Sequence, residues 1–232
     1  MIKTVPGYEG LNQSLYDLGM IHVELGTRCN LMCSGCARTQ VIHGDTHYPQ
    51  LKVQDLGHNV LTQLVRKENN LRHLFFNANF SDPIYCGHLF ESFDYMNTLE
   101  DRPILHFTTN GSGRNVKWWE TFADKFKQGD KLDWSIDGLE DTNHLYRKNA
   151  KWNTIMDGVK TAINLWNNKD IHISTTWKFI VFKHNQHQIR QAYDLSKELG
   201  FEKFKLCAAA PRTPDVMMPT LSWNEMKEML DD

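Results

Sequence analysis

The sequence lacks a long apolar run, a block of like charge and a leader segment. A membrane helix needs roughly 18 consecutive apolar residues, and no stretch of the chain reaches that length. Lys and Arg total 26 against 28 Asp and Glu, a net charge of −2, so a large nucleic-acid footprint is not indicated. The start, MIKTVPGYEG, lacks the basic segment and apolar run of a signal peptide. We therefore expect a cytoplasmic protein with no membrane partner and with nucleic acid disfavoured.

The chain also lacks a linker rich in proline, glycine or serine, and it lacks the composition of a disordered protein. Of its 232 residues, 41% are hydrophobic and 23% are charged, which is the usual balance of a globular protein. One domain is the simplest expectation at this length. We predict a single domain over residues 1–232, with an irregular tail at 209–232 that ends in a short helix capped by Ser222.

Strand-like segments alternate along the chain with segments of helical period. Six predicted strands begin near residues 21, 71, 104, 132, 172 and 204. The clearest helix carries five apolar residues on one face, which are Trp152, Ile155, Met156, Val159 and Ile163. A second helix is predicted over about 188–199, before Gly200. Repeated strand–helix alternation favours βαβ units and a parallel sheet.

The six predicted units are fewer than the eight of a complete barrel, which typically takes about 250 residues. We therefore predict an α/β fold in which an open, partial (β/α)6 barrel, similar to a shortened TIM barrel, occupies about residues 20–208. An open doubly wound sheet has the same alternation, and periodicity alone does not separate the two folds.

Cysteine is scarce, yet three of the five cysteines lie within eight residues. Cys29, Cys33 and Cys36 form a C-x3-C-x2-C run directly after the first predicted strand. An odd number without a secretory signal favours metal or redox chemistry over disulfides. Three thiolates on a tight loop can hold three irons of a [4Fe-4S] cluster and leave one iron open for a substrate. Cys86 and Cys207 have no partner at short spacing.

A structural zinc site is the alternative interpretation of this region. Cys33 and Cys36 can combine with His43 and His47, whose mutual spacing suits zinc. However, only six residues separate Cys36 from His43, against about twelve in the usual finger, and Cys29 would be left unused. The chain would then be a zinc-stabilised binding module without catalysis.

The cysteine run and three further motifs resemble the radical S-adenosylmethionine (radical SAM) superfamily over roughly residues 20–208. Residues 79–83 lie where that family has Gly-Gly-Glu-Pro, residues 108–111 end the third strand like its Thr-Asn-Gly, and residues 135–138 end the fourth. The set is most similar to the subgroup of peptide-modifying enzymes with SPASM extensions and the enzyme of the first molybdenum-cofactor step. No cysteine-rich extension follows residue 208, so a second cluster is not expected.

The resemblance implies a radical SAM enzyme in which Cys29, Cys33 and Cys36 hold a [4Fe-4S] cluster and the open iron binds S-adenosylmethionine. One electron would break the S–C5′ bond, and the resulting 5′-deoxyadenosyl radical would take a hydrogen atom from a peptide or small molecule. An electron donor such as flavodoxin or ferredoxin is the implied partner. A glycyl-radical-activating enzyme that acts on a partner protein has the same cysteine spacing and is the alternative.

The resemblance also implies seven cofactor-binding residues, which are Asn79, Ser81, Asp82, Asn110, Ser135, Asp137 and Arg147. Asp82 would bind the methionine ammonium together with backbone carbonyls of residues 79–81. Arg147 would bind the methionine carboxylate through its planar fork of donors. Asn110 and Ser135 would hold the ribose hydroxyls.

Each of these roles has a simpler structural alternative. Asp82 can be part of an Asp-Pro turn, and Arg147 can be a solvated helix residue. Asn110 and Ser135 can be turn or capping residues, and Asp137 can be a cap beside a helix.

Two other features bear on the cofactor and the substrate. Gly35 stands where the family often has an aromatic residue against the adenine, so we expect Phe80 or Phe179 to supply the stacking. Lys178 shares one strand face with Ser174 and Thr176. If that face lines a barrel lumen, Lys178 contacts substrate or cofactor. An edge strand with one wet side explains the same pattern.

Overall fold

The computed structural model describes residues 19–43, 52–65, 70–77, 79–209 and 213–231. Within them, one parallel sheet contains six strands, which are β1 Met20–His22, β2 His73–Phe76, β3 Ile104–Thr109, β4 Lys131–Ser135, β5 Ser174–Ile180 and β6 Lys203–Cys207. Their order in the sheet is the same as their order in the sequence. A doubly wound sheet reverses that order at a switch point. The predicted open, partial barrel is therefore confirmed, because β1 and β6 are the edges of a sheet that does not close within the described residues.

Eight α-helices lie in the described residues, which are α1 Ala37–Ile42, α2 His58–Leu64, α3 Leu89–Asn97, α4 Val116–Asp124, α5 Asn143–Tyr146, α6 Trp152–Asn168, α7 Ile189–Glu198 and α8 Trp223–Glu228. The predicted apolar helix is the first part of α6, and the second predicted helix corresponds to α7. Ser222 caps α8 and forms a reciprocal pair of hydrogen bonds with Glu225. None of the described helices is both long enough and apolar enough to cross a membrane.

Side chains alternate between two faces of the sheet, and one face carries the main core. Phe107 of β3 is fully buried there, with its ring centroid 4.5 Å from that of Phe76 and 5.0 Å from that of Phe93 in α3. Helices α4 and α6 pack together on this side at Gly158, where an added Cβ would lie 2.6 Å from the indole of Trp119. Burial of each such aromatic side chain contributes about 1.5–3 kcal/mol.

The opposite face of the sheet, which we call the open face, carries the alternate residues of each strand. In β3 these are His106 and Thr108, and both are only partly buried. Ser135 of β4 and Ile180 of β5 lie on the same face, and with Thr108 they line a cavity at the carboxyl ends of the strands. Active sites of barrel enzymes are found at this end.

The first strand is shorter than the sequence predicts. The pattern predicts a strand over residues 21–25, whereas β1 ends at His22. Val23 still donates to the carbonyl of Phe75 at 2.8 Å. Gly26 then forms an antiparallel bridge with Asp55, which turns the chain out of the parallel sheet and into the cysteine loop.

Candidate functional site

Cys29, Cys33 and Cys36 lie on the loop between β1 and α1, and all three line one cavity of about 410 Å³. Cys36 is the N-cap residue of α1, and its amide donates to the carbonyl of Cys33 at 3.1 Å. Cys86 and Cys207 are not among the described residues that line this cavity. A volume of this size is typical of small-molecule and cofactor sites.

Contacts from both sides fix the cysteine loop. The guanidinium of Arg38 donates to the carbonyl of Thr27 at 3.2 Å and to that of Leu31 at 3.4 Å. Leu31 and Cys33 pack in a second, smaller apolar cluster with Tyr146 and Phe182. The hydrogen bonds of Arg38 do not use the cysteine sulfurs, and the Leu31 amide adds one to the Cys29 sulfur at 3.4 Å.

The three thiols suit an iron–sulfur cluster. Burial raises the pKa of Cys29 to about 12, with a further contribution from the charge of Asp82, and burial raises that of Cys33 to about 11 although Arg147 opposes it. Thiolates are the metal-binding form, so loading this site releases protons and brings in the compensating positive charge. In a cluster held by three cysteines, each thiolate binds its own iron, so the three sulfurs can be spaced along the loop.

The alternative zinc site is not assembled in the described part of the chain, where no three His, Cys, Asp or Glu side chains converge on a single ion position. His43 is exposed at the end of α1. His47 lies outside the described residues.

The carboxylate of Asp82 is buried and saturated by donors of the protein itself. It accepts hydrogen bonds from the hydroxyl of Thr109 at 2.8 Å and from the Asn110 amide N–H and side-chain nitrogen at 2.7 and 2.6 Å. The Ile84 amide donates at 3.3 Å, so Asp82 also caps the 3-10 turn Pro83–Tyr85. A carboxylate has about four acceptor sites. Burial raises the pKa of Asp82, while these hydrogen bonds lower it.

This network is the Asp-Pro turn that the sequence offered as the alternative, extended to the end of β3. Asp82 and Asn110 both line the cavity, but their polar groups are largely engaged with each other. The side-chain oxygen of Asn110 also accepts from the Ser112 amide at 2.7 Å. By contrast, the Ser135 hydroxyl lines the cavity and makes no hydrogen bond within the described residues, so it is available to a ligand.

Glu24 is a residue of the site that the sequence analysis missed. One of its carboxylate oxygens accepts from the Asn79 amide at 2.7 Å, and the other accepts from the Phe80 amide at 3.2 Å and the Ser81 hydroxyl at 2.7 Å. Glu24 thereby fixes the backbone of residues 79–81, three residues that line the cavity. The only signal in the sequence was an acidic residue at the end of the first strand-like segment.

Arg147 follows α5 and is 9% exposed, so the solvated helix position considered above is wrong. Its Nε atom lies 2.7 Å from Oδ2 of Asp137. The N–H is not aligned with that oxygen, and the contact is an ion pair rather than a directed hydrogen bond. Burial would lower the pKa of Arg147, but Asp137 and Cys33 raise it. The two terminal nitrogens make no hydrogen bond within the described residues, and Arg147 lines the cavity.

Asp137 itself is fully buried and is not among the described residues that line the cavity. Its Oδ1 accepts from the Ile180 amide at 2.7 Å, and its own amide donates to the side chain of Asn143 at 2.8 Å. Asp137 therefore lies behind Arg147 and outside the lining of this cavity. The other six predicted contact residues, Asn79, Ser81, Asp82, Asn110, Ser135 and Arg147, line the cavity together with the three cysteines.

The glycine at position 35 has a packing explanation. An added Cβ would lie 2.8 Å from Oγ1 of Thr213 and 3.1 Å from the hydroxyl of Tyr146, so the C-terminal segment and Tyr146 occupy the space beside the third cysteine. Of the two phenylalanines expected to stack on the adenine, Phe80 lines the cavity. Phe179 is fully buried in the core on the helix-covered face. The expectation for Phe179 is wrong.

The open sheet of six parallel strands, with three cysteines after the first strand at its carboxyl end, has the arrangement that the resemblance of the sequence motifs implies. No protein-family model matches the sequence, and no curated protein matches it in sequence. Solved structures do match in fold.

Three of the solved structures that are similar in fold are the following. SuiB of Streptococcus suis bound to S-adenosylmethionine has a TM-score of 0.64 and 12% identity, over 93% of this chain and 46% of SuiB. AnSMEcpe with bound AdoMet has a TM-score of 0.58 and 14% identity, over 84% of this chain and 50% of that protein. TYW1 with a lysine-pyruvate adduct bound has a TM-score of 0.60 and 12% identity, over 91% of this chain and 71% of that protein. The chain shares the fold of these three structures, and it spans about half the length of the first two.

Proposed function

We propose that the protein is a radical SAM enzyme that binds a [4Fe-4S] cluster through Cys29, Cys33 and Cys36 and cleaves S-adenosylmethionine reductively. The observation that carries this proposal is the shared cavity, because the three thiols line the same space as Ser135 and Arg147. This one cavity therefore offers partners for a metal cluster and for the methionine and ribose parts of S-adenosylmethionine. A flavodoxin or ferredoxin is the proposed electron donor.

When bound, the cluster supplies one electron for cleavage of the S–C5′ bond and so provides a radical that takes a hydrogen atom from the substrate. Arg147 acts on the methionine carboxylate. Its two terminal nitrogens present the planar fork that matches a carboxylate, and the ion pair with Asp137 holds that fork in place. Ser135 donates to or accepts from a ribose hydroxyl.

The ammonium end is assigned to the segment 79–81. The Asp82 carboxylate has its acceptor sites filled, so we assign the ammonium to backbone carbonyls of that segment, with the charge of Glu24 behind them. Three hydrogen bonds to Glu24 leave about one of its acceptor sites open.

Apolar packing beside the cysteines limits the access of water. The rings of Tyr146 and Phe182 lie 4.2 Å apart, and both are buried next to Leu31 and Cys33. Exclusion of water strengthens the electrostatic contacts inside a site and protects reactive species from solvent.

A peptide is the favoured substrate class, with a small molecule as the second possibility. The support comes from the structural neighbours, since SuiB has been solved bound to its precursor peptide SuiA, at a TM-score of 0.66 and 12% identity, and anSMEcpe with AdoMet and the Cp18Cys peptide, at 0.55 and 14%.

The proposal is tested by anaerobic reconstitution with iron and sulfide, followed by incubation with dithionite and S-adenosylmethionine. We expect about four irons and four sulfides per chain, as for a [4Fe-4S] cluster, and formation of 5′-deoxyadenosine. One zinc per chain with no sulfide would instead support the zinc-stabilised binding module. Cys86→Ala is the matched control, because Cys86 is a buried cysteine outside the cavity lining.

A further inference from the structure

The open face of the sheet carries an ionisable cluster beside the cofactor cavity. Thr108, Ser135 and Ile180 line that cavity. Residues two positions away in a strand point to the same face, and so do residues paired in parallel register. His106 of β3, Asp133 of β4 and Lys178 of β5 therefore share the open face with the cavity lining, and we call these three residues the open-face cluster.

Asp133 is the centre of this cluster. Its Oδ2 lies 2.7 Å from the Lys178 ammonium and 2.8 Å from Nε2 of His106. The exposed fractions of the Asp133, His106 and Lys178 side chains are 6%, 19% and 23%. Burial alone would raise the pKa of Asp133, but the His106 hydrogen bond and the Lys178 charge lower it to about 2. The carboxylate is ionised at neutral pH and fixes the position of the lysine.

The cluster also joins the cavity directly. The Lys178 ammonium lies 3.4 Å from the hydroxyl of Thr108, a cavity-lining residue, and Lys178 pairs in register with Ser135, another one. An ammonium has three donors. Asp133 accepts a hydrogen bond from one of them, and the contact with Thr108 is long. The Lys178 ammonium therefore keeps an N–H donor for a ligand on the side of the cavity.

Positive charge exceeds negative charge on this part of the open face. Lys178 pairs in register with Lys205 of β6, and His106 pairs with Lys131 of β4. Neither Lys205 nor Lys131 forms an ion pair in the described part of the chain. Asp133 is the one acidic side chain that strands β3 to β6 place on this face. With Lys203, which pairs with Glu202 at 2.8 Å, four lysines of these strands share the face with one carboxylate, so the face attracts anions.

We propose that Lys178 and Lys205 bind an anionic group of the substrate, a carboxylate or a phosphate, with Asp133 and His106 as positioning residues. The proposal rests on the proposed function, since it assigns the anion to the substrate of the radical enzyme. If the cluster were only a structural ion pair, Lys178 alone would neutralise Asp133. Lys205 is exposed on the edge strand β6, in register with Lys178 and without a counter-ion among the described residues, so it supplies the second cation for such an anion.

The test uses the reconstituted protein and two probes, inorganic phosphate and acetate, each titrated at constant ionic strength while the thermal midpoint is followed. Saturable stabilisation by either probe is expected, weakened at least tenfold in Lys178→Met and in Lys205→Met. Lys227→Met, which changes an exposed lysine of α8 and not of the sheet, is the matched control and should titrate like the wild type. Saturation by phosphate alone assigns a phosphate group, and saturation by acetate alone assigns a carboxylate.

Absence of saturation with both probes would overturn the proposal, as would equal binding by the wild type and Lys205→Met. Lys205 has no ion pair in the described residues, so this second variant remains informative if Lys178→Met, which leaves Asp133 without its cation, fails to fold. Failure of the proposed function is a separate result. Wild-type protein that binds phosphate or acetate but never forms 5′-deoxyadenosine rejects the enzyme and keeps the anion subsite. Wild-type protein that forms 5′-deoxyadenosine but binds neither phosphate nor acetate rejects the anion subsite alone.

Discussion

The Nε atom of Arg147 lies 2.7 Å from Oδ2 of Asp137, although both side chains are buried. The second Asp137 oxygen accepts from the Ile180 amide, which ties the pair to the end of β5. A buried ion pair of this kind contributes little net stability but is costly to break from one side. Its role here is to hold the terminal nitrogens of Arg147 at the cavity.

Replacing Arg147 by Lys is expected to weaken binding of S-adenosylmethionine while cluster content stays unchanged. The ammonium keeps the charge near Asp137 but cannot reproduce the fork. Arg147→Ala removes the whole contact. Since hydrogen bonds to charged groups contribute on the order of 1.5–3 kcal/mol, its affinity should fall roughly 10- to 150-fold. Spectroscopic titration of the reconstituted cluster measures both variants.

Asp137→Asn is the matched control for this experiment, since it keeps the shape behind Arg147 and removes the charge. A smaller loss of affinity than in Arg147→Ala is expected. Wild-type affinity in a folded Arg147→Ala protein would remove Arg147 from the site.

Glu24→Gln is expected to weaken S-adenosylmethionine binding by severalfold to about tenfold without loss of the cluster. A carboxylate accepts from the amides of Asn79 and Phe80 and from the Ser81 hydroxyl, whereas the NH2 group of glutamine would face one of these donors. Glu24 is partly buried, and loss of one such hydrogen bond costs about 0.5–1.5 kcal/mol. Ser81→Ala removes only one donor and should have the smaller effect.

The control for Glu24 is Glu91→Gln, an exposed glutamate of α3. Its titration curve should coincide with that of the wild type. Unchanged affinity in Glu24→Gln would show that the segment 79–81 keeps its conformation without this carboxylate.

Asp133 makes the stability of the protein depend on pH in the acid range. Its pKa in the folded protein is about 2, below the value of about 3.9 in an unfolded chain. The charged form therefore stabilises the native state above pH 4, and this contribution, on the order of 2 kcal/mol, is lost as the pH falls from about 5 to 2.

Urea denaturation of the wild type and Asp133→Asn between pH 3 and pH 6 measures this effect. The difference in unfolding free energy between the two proteins should shrink toward pH 3. Asp94→Asn, which changes an exposed aspartate, should show no comparable difference. A gap between the wild type and Asp133→Asn that is independent of pH would contradict the assignment.

Gly35→Ala is expected to destabilise the cysteine loop, because the added Cβ would lie 2.8 Å from Oγ1 of Thr213. Overpacking of this kind costs about 1–3 kcal/mol. The thermal midpoint and the iron content should both fall. Adding Thr213→Ala removes the clashing oxygen and should restore part of both values, whereas Thr213→Ser keeps that oxygen and should not. Equal behaviour of the two double variants would show that Thr213 does not limit the space at Gly35.

The alternation of apolar and polar residues predicted many of the strands, because successive side chains of a strand point to opposite faces of the sheet. β3 begins at Ile104, where the sequence predicts a strand, since its apolar and polar side chains alternate between a core and an open face. The cysteine loop was likewise predictable from spacing. Phe179 was misassigned although it follows Lys178 directly in β5: successive side chains of a strand point to opposite faces, so with Lys178 on the open face Phe179 lies in the core.

Contacts between distant parts of the chain were the ones that the sequence did not predict. Glu24 and Asn79 are 55 residues apart and meet only because β1 and β2 are neighbours. The saturation of the Asp82 carboxylate depends in the same way on its position beside the end of β3. Single-sequence motifs locate such residues near a cavity, but only the packed structure shows which of their polar atoms are already engaged.

The central claim is that three cysteines on one loop form a catalytic iron–sulfur site, and one measurement tests it most directly. Formation of 5′-deoxyadenosine from S-adenosylmethionine with dithionite is measured anaerobically for the wild type and for Ala variants of each cysteine. We predict product with the wild type, Cys86→Ala and Cys207→Ala, and none with Cys29→Ala, Cys33→Ala or Cys36→Ala. Normal iron content and product in any of these last three variants, or no product from an iron-loaded wild type, would contradict the account.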